Sequence, residues 1–236
     1  MQLRVFLAIP QKNKELEQLR CIVHKETADL YVFPEGFLHD NSLLEALSLL
    51  SDLEGVVVTG WKHQTPEGIF EKAIVIEHGK IVDEYAKCIL TQSERQKGKR
   101  PGPSIHCVNT HFGRLGIPVC YEIHFPEVSR LMALEQPIML LNLIGTGMYH
   151  QLQLDQWTSL AKARAIENEV FVLGCSHYVG EIPLAFAYSP TGELIGQLTN
   201  TTGGLSVVVD TAESFLRPLG YMSDRLPAFF KGLSQK

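Results

Sequence analysis

Three ionisable side chains stand at corresponding places in the chain, each at or just beyond the end of a short apolar run. Glu35 follows one such run, Lys87 follows a second, and Cys120 ends a third. Because side chains at the ends of strands are delivered into a cleft along the edge of a sheet, we expect these groups to share one cleft. A thiol, a carboxylate and an ammonium group together can carry out nucleophilic attack on a carbonyl carbon.

The thiol needs the other two groups. An unperturbed thiol pKa of about 8.5 leaves only a few per cent thiolate at neutral pH. Glu35 can take the proton of Cys120 and return it to a departing amine, while Lys87 and backbone N–H groups near Tyr121 can stabilise the oxyanion. The pKa of Cys120 is expected to fall if backbone N–H groups and the N-terminus of the helix opened by Pro126 face the sulfur.

The elements that would position these residues are short. Apolar runs rich in Val, Ile, Leu and Phe recur between Gly, Pro, Asn and Asp, with amphipathic stretches between only some of them. The predicted strands are Leu3–Ile9, Leu30–Phe33, Val56–Trp61, Phe70–Glu77, Lys80–Tyr85, Ile105–Asn109, Arg114–Cys120, Ile138–Leu143, Val170–Ser176, Ala185–Ser189, Glu193–Leu198 and Gly204–Val209. The predicted helices are Lys12–Glu26, Asn41–Leu50, Pro126–Leu134 and Asp155–Asn168. This mixture favours an α/β layered fold with too many strands for a simple Rossmann sheet.

Local signals support several of these boundaries. Pro126 suits the first turn of one helix, and Asp155 suits the N-cap of another. Turn residues at 78–79, 111–113 and 190–192 are short enough to join neighbouring strands as hairpins.

Composition excludes several classes of protein. The 236 residues, with a formal charge of −5, predict a single domain over 1–236 without a basic field for nucleic acid. The chain has no apolar run of about 18 residues, so we expect no membrane span. Five cysteines without a CxxC pair argue against a disulfide framework and favour a reducing, cytoplasmic compartment. The densest basic cluster, Lys97, Lys99 and Arg100, is interpreted as a solvated loop.

Motifs of several enzyme classes are missing from the sequence. It contains no GxSxG elbow, GxGxxG loop, GxxxxGK[ST] loop, HExxH motif or EF-hand loop. Serine hydrolase, dinucleotide-binding, P-loop and zinc-protease interpretations therefore have no starting point.

Six segments, taken in order, resemble the signature blocks of the nitrilase (carbon-nitrogen hydrolase) superfamily. They are Phe33–Glu35, Tyr85–Lys87, Phe112–Glu127, Ala163–Asn168, Ser189–Gly192 and Ser223–Pro227. Any one block is a weak signal. Six blocks in the family's order cover nearly the whole chain, which makes a chance match improbable. Two departures are the length, which is short for a member, and Ile89, which replaces a histidine common in the family's lysine block.

The resemblance implies a four-layer αββα sandwich and a catalytic triad of Glu35, Lys87 and Cys120. It further implies a thioester intermediate that water hydrolyses. We expect neither a metal nor an organic cofactor. Glu94 occupies the place of the family's second glutamate, where it would orient Lys87 or the substrate. The resemblance also implies a homodimer or a higher homo-oligomer.

Structural alternatives exist for the individual residues. Cysteine is among the most buried residue types, so Cys120 taken alone would be a core residue. Glu94 could instead form a surface ion pair with Arg95. Glu122, directly after Tyr121, could act in the site or could anchor the turn through hydrogen bonds to backbone.

The expected reaction is hydrolysis of a non-peptide carbon-nitrogen bond in a small amide. The family offers ω-amides, N-carbamoyl amines and short aliphatic amides as substrates. One alternative is a nitrilase, and another is a catalytically silent scaffold or binding member of the fold. Tyr121 favours the amide, because family members that hydrolyse nitriles tend to carry tryptophan after the cysteine.

Overall fold

The structure, a computed structural model, describes residues 1–180, 182–217 and 219–234. Its strands are β1 (Gln2–Ile9), β2 (Leu30–Val32), β3 (Leu38–His39), β4 (Val56–Thr65), β5 (Gly68–Glu77), β6 (Lys80–Ala86), β7 (Val108–Thr110), β8 (Gly113–Gly116), β9 (Met139–Ile144), β10 (Phe171–Ser176), β11 (Leu184–Tyr188), β12 (Leu194–Thr199) and β13 (Gly203–Asp210). Its helices are α1 (Glu15–Lys25), α2 (Asp40–Leu49), α3 (Gln92–Gln96), α4 (Pro126–Leu134), α5 (Gln151–Asn168) and α6 (Glu213–Leu216), with 3₁₀ turns at Cys120–His124 and Pro227–Ser234.

The strands form two mixed sheets. The first has the order β13-β1-β2-β4-β5-β6, with β3 paired to β4, and the second has the order β12-β11-β10-β9-β8-β7. In each sheet three neighbouring strands run parallel: β1, β2 and β4 in the first, and β8, β9 and β10 in the second. The carboxyl ends of parallel neighbours lie at the same edge of a sheet, so the residues that follow them can converge.

The sheets pack face to face because their strands alternate between two apolar faces. On β1, Leu7 and Ile9 enter the core between the sheets, whereas Phe6 and Ala8 pack under α1 and α2. This period of two is the geometry of a pleated strand, and here both faces are buried.

Helices cover the outer faces of both sheets. Leu19 and Ile22 of α1 and Ala46 of α2 pack on the first sheet. Met132 of α4 and Trp157 of α5 join the core on the side of the second sheet. The four layers confirm the αββα sandwich expected from the resemblance.

The predicted elements correspond closely to those observed, and the three predicted hairpins are confirmed. Two details are wrong. The strand predicted to end at Cys120 stops at Gly116, and a 3₁₀ turn begins at the cysteine itself. Asp155 is not an N-cap, because α5 begins at Gln151 after His150, whose side chain accepts from the Gln153 N–H. The short strand β3 and the helices α3 and α6 were not predicted.

Among the described residues, no helix is both long and apolar enough to cross a membrane.

We expect Leu7→Ala to destabilise the fold by about 2–5 kcal/mol, because it leaves a cavity between the two sheets. Leu7 is 0% exposed, whereas Leu44 on α2 is 79% exposed. The matched control Leu44→Ala should therefore stay within about 0.5 kcal/mol of the parent. Urea unfolding followed by circular dichroism measures both, and equal losses in the two variants would contradict the proposed core.

Candidate active site

The structure brings Glu35, Lys87 and Cys120 together at one edge of the sandwich. Lys87 directly follows β6, and its Nζ lies 2.8 Å from Glu35 Oε1. Cys120, Glu35 and Gly145 line the same cavity, and the Glu35 carboxylate and the Gly145 N–H both lie close enough to the Cys120 thiol to act on its pKa. A thiol, a carboxylate and a cation thus lie together, with Glu35 next to both of the others.

The backbone at Cys120 forms a sharp elbow. Its φ of +49° lies in the left-handed region, which costs a non-glycine residue about 1–3 kcal/mol unless its surroundings enforce it. Asn142 on β9 supplies that support, since its Nδ2 donates to the carbonyls of Pro118 at 2.6 Å and Cys120 at 3.2 Å. The indole of Trp157 in turn donates to Asn142 Oδ1 at 2.8 Å. Sequence reasoning missed the role of Asn142.

Glu122 anchors this elbow instead of lining the cavity. Its fully buried carboxylate accepts hydrogen bonds from the backbone N–H groups of Val119, Cys88 and Ile89 and from the Tyr85 hydroxyl, at 2.7 to 3.0 Å. It therefore ties the segment that carries Lys87 to the segment that carries Cys120. These contacts fit the structural alternative for Glu122.

Glu94 lies on the other side of the lysine. Its Oε1 is 2.8 Å from Lys87 Nζ, and its Oε2 accepts from the Thr91 N–H at 2.8 Å in the capping box that begins α3. The ion pair with Arg95 is not formed. Instead, Arg95 donates to the Leu90 carbonyl.

These contacts determine the protonation states of Lys87 and Glu94. Burial by itself lowers the pKa of Lys87, which is 1% exposed, but the negative charges around it, Glu35 first, outweigh burial and raise that pKa. For Glu94, burial raises the pKa, and the Lys87 ammonium overcomes this and lowers it to about 2. Both groups are ionised at neutral pH.

The pKa of the Cys120 thiol is raised, which corrects the conditional expectation of a lowered one. Burial is the main cause and the Glu35 charge the second, and together they outweigh Lys87 and the Gly145 N–H, which lower it. The sulfur is removed from water beside a carboxylate, so its anion is disfavoured at rest. The site therefore favours the protonated thiol, with the Glu35 carboxylate beside it.

Tyr121 turns its ring toward neighbouring aromatic groups. The ring centroids of His124 and Phe125 lie 5.3 and 5.1 Å from it. Its carbonyl accepts a hydrogen bond from His124 Nδ1 at 3.0 Å. This packing orders the turn whose N–H groups were expected to stabilise an oxyanion.

A cavity of about 420 Å³ opens onto Cys120 and Glu35. Its walls include Gly145 after β9 and His177 after β10. Cys120 follows β8, so residues beyond three adjacent parallel strands line one edge of the cavity. The His177 ring donates from Nε2 to the Glu35 carbonyl at 3.0 Å, and burial lowers the pKa of this histidine to about 4. Neither residue carries a local sequence signal, because only the sheet order makes them neighbours of Glu35.

The basic cluster at 97–100 departs from the expectation of a solvated loop. Lys97 and Arg100 are exposed, but Lys99 turns inward. Its Nζ lies 2.7 Å from Glu71 Oε1 and 3.0 Å from Glu94 Oε1. Charge pattern alone could not distinguish the inward lysine from its neighbours.

No group of three or more His, Cys, Asp or Glu side chains in the described part of the chain is arranged to hold a metal ion. Glu35 is instead paired with Lys87, and Lys99 with Glu71.

Comparison with known proteins decides the family. Residues 10–214 match the sequence profile of carbon-nitrogen hydrolases. The chain belongs to the carbon-nitrogen hydrolase family. This confirms the resemblance found in the signature blocks.

Relatives of this carbon-nitrogen hydrolase include both nitrilase-named and amidase-named proteins. A probable nitrilase of Schizosaccharomyces pombe is 30% identical over 177 residues, which are 70% of this chain and 63% of that protein. The chain thus spans less than two thirds of that relative's length.

Two crystal structures share the fold. A carbon-nitrogen hydrolase from Helicobacter pylori G27 superposes with a TM-score of 0.86 at 17% identity, covering 99% of this chain and 98% of that one. A mutant amidase from Nesterenkonia sp. AN1, with the acetamide moiety of fluoroacetamide added covalently to its active-site cysteine, has a TM-score of 0.80 at 18% identity, covering 98% and 96%.

We expect Gly145→Ala to displace the Glu35 carboxylate in this carbon-nitrogen hydrolase. A Cβ at Gly145 would lie 2.4 Å from Glu35 Oε2, and Gly145 does not have a positive φ that would add backbone strain. Since misplacing a reacting group by about 1 Å can cost about 100-fold in rate, alkylation of Cys120 and any amide turnover should fall by that order. Gly232→Ala, where a Cβ meets no atom within 4 Å, is the control. A fully active Gly145→Ala protein would contradict the described geometry.

Proposed function

We propose that this carbon-nitrogen hydrolase cleaves a small amide through a thioester on Cys120, with Glu35 as the base and Lys87 as the cation that stabilises the oxyanion. The observation that carries the proposal is the position of the Glu35 carboxylate, which is 2.8 Å from the Lys87 ammonium and lines the same cavity as the Cys120 thiol. The cysteine adduct of the Nesterenkonia amidase, which shares the fold, supports this choice of nucleophile.

In the first half of the reaction, Glu35 takes the thiol proton as the sulfur attacks the carbonyl carbon. Charge develops on the carbonyl oxygen, and the Lys87 ammonium and backbone N–H groups at the Cys120 elbow stabilise it. Glu35 then gives the proton to the nitrogen, the carbon-nitrogen bond breaks, and ammonia or an amine leaves. The acyl group remains on Cys120 as a thioester.

In the second half, Glu35 takes a proton from water as the water oxygen attacks the thioester carbon. The tetrahedral intermediate collapses, the carbon-sulfur bond breaks, and the sulfur recovers a proton from Glu35. The product is a carboxylic acid. One carboxyl group thus acts as base and acid in turn.

The cavity fits a small substrate. Its volume of about 420 Å³ lies in the lower part of the range of about 300–1,000 Å³ for small-molecule sites. ω-Amides, N-carbamoyl amines and short aliphatic amides all fall in this class.

Cys120→Ala should abolish turnover without unfolding the protein, because it removes the nucleophile and little volume. Glu35→Gln and Lys87→Met should each reduce kcat/KM by about a thousandfold or more, and the double variant should lose little beyond either one, since groups that act as a unit are not additive. Cys21→Ala, at an exposed thiol on α1, is the control. Ammonia release measures each rate. Hydrolysis retained by Cys120→Ala would contradict the proposal.

Amides should be better substrates than nitriles of the same carbon skeleton. Attack on an amide creates oxygen charge and a nitrogen that must be protonated to leave, and Lys87 and Glu35 suit these tasks. The test is kcat/KM for matched amide and nitrile pairs, with the acyl-enzyme captured by intact mass. Faster nitrile turnover across several skeletons would support a nitrilase instead. No turnover of either class, with no preferential alkylation of Cys120, would support a silent scaffold.

A further inference from the structure

Two charged residues outside the proposed triad continue its ion pairs. Lys99 Nζ bridges Glu94 Oε1 at 3.0 Å and Glu71 Oε1 at 2.7 Å, while Lys87 Nζ bridges Glu94 and Glu35 at 2.8 Å each. The five groups therefore form one line of alternating charge. It begins beside the Cys120 sulfur and ends at Glu71.

The outer pair is shielded from solvent. The side chain of Glu71 is 5% exposed and that of Lys99 is 17% exposed, so water and salt screen their charges weakly. A surface ion pair contributes little, but breaking a buried pair leaves a charge without compensation.

Backbone hydrogen bonds hold this pair against the lysine of the triad. The Lys87 N–H donates to the Glu71 carbonyl at 2.9 Å, and the Lys87 carbonyl accepts from the Gly102 N–H at 2.8 Å. Lys99 itself forms an isolated β-bridge with Ile69 at the start of β5. The loop that carries Lys99 is thus connected to the strand that carries Glu71.

The line contains three carboxylates and two ammonium groups, which leaves one negative charge in excess. Glu71 Oε2 is buried without a hydrogen-bond partner among the described residues. Burial first and the Glu35 charge second raise the pKa of Glu71, and Lys99 opposes them. Lys99 is therefore the main cation that opposes the raised pKa of Glu71, through its charge and its hydrogen bond.

We propose that Lys99 and Glu71 are positioning residues, with Lys99 holding Glu94 against Lys87 and offsetting its charge, and Glu71 holding Lys99. This rests on the proposed function of Cys120, Glu35 and Lys87. Without Lys99, the carboxylates act on the sulfur and on the developing oxyanion with less compensation. Both the thiolate and the tetrahedral intermediate are then destabilised.

The experiment measures the rate of iodoacetamide alkylation at the Cys120 peptide between pH 6 and 10, in a Cys21→Ala background. In Lys99→Met, the apparent pKa of alkylation should rise by about one unit, so that the rate at lower pH falls about tenfold. For the best amide, kcat should fall more than KM rises. Lys99→Arg should restore most of the rate. Thermal unfolding checks that each variant is folded.

Glu71→Gln provides a prediction of opposite sign. It removes the excess negative charge, so the apparent pKa of Cys120 alkylation should fall. The double variant, Glu71→Gln with Lys99→Met, again has one excess negative charge and should alkylate faster than Lys99→Met alone. Purely structural roles would instead give losses that add, and additive losses would overturn the proposal.

The other titratable groups that line the cavity are unchanged in every variant. They are Lys12, Glu15, His39, Lys62, Lys97 and His177. Lys72→Met is the matched control, because it breaks an ion pair of the same 2.7 Å length, with Glu84, on the same strand β5. Its alkylation profile should match that of the parent.

The outcomes separate the two proposals. Alkylation needs no amide, so a parent protein without amidase activity would refute the proposed function and still test the positioning pair. A folded Lys99→Met protein with an unchanged alkylation profile would overturn the positioning role alone. If Lys99→Met does not fold, the Glu71→Gln shift decides, and an unchanged or raised pKa there would also overturn it.

Discussion

The ammonium group of Lys87 is almost fully buried, and the residues of the site are arranged to neutralise its positive charge. An unpaired charge at that depth would cost several kcal/mol, so two carboxylates must reach it from different parts of the chain. Glu35 comes from beyond β2, and Glu94 comes from the first turn of α3. The end of the first sheet, the capping box of α3 and the loop behind it are all constrained by this one cation.

The same arrangement explains the protonation state of Cys120, the proposed nucleophile. A buried sulfur beside a carboxylate resists ionisation, and the pKa of Cys120 is raised in spite of the neighbouring lysine. The proton is consequently kept where Glu35 can take it during attack. The left-handed elbow at Cys120 and its support by Asn142 and Glu122 place the thiol in this position at the cost of some local strain.

Family membership indicates hydrolysis of a carbon-nitrogen bond. The side chains that line the cavity then restrict which substrates can bind. Glu35 and Cys120 form the proposed reacting end, while the rest of the wall includes side chains from α1, β4, β5 and the loop after α3. Two carbon-nitrogen hydrolases can therefore share the reacting end and differ in what they accept, because loops vary independently of the sheets that support them.

The sequence by itself determined the fold class, the order of most elements and the three residues of the proposed triad. Those conclusions depend on local signals: alternating apolar residues for strands, turn residues for hairpins, and short motifs around Glu35, Lys87 and Cys120. Only the tertiary structure decided which further groups surround the thiol. Asn142 and Gly145 near the end of β9, His177 after β10, Glu71 on β5 and Lys99 in the loop after α3 belong to separate segments, which only the packing of the two sheets and their loops brings together. The direction of the pKa shift at Cys120 was equally beyond local reasoning, because it depends on burial and on the distances between charges, which exist only once the sheets have packed.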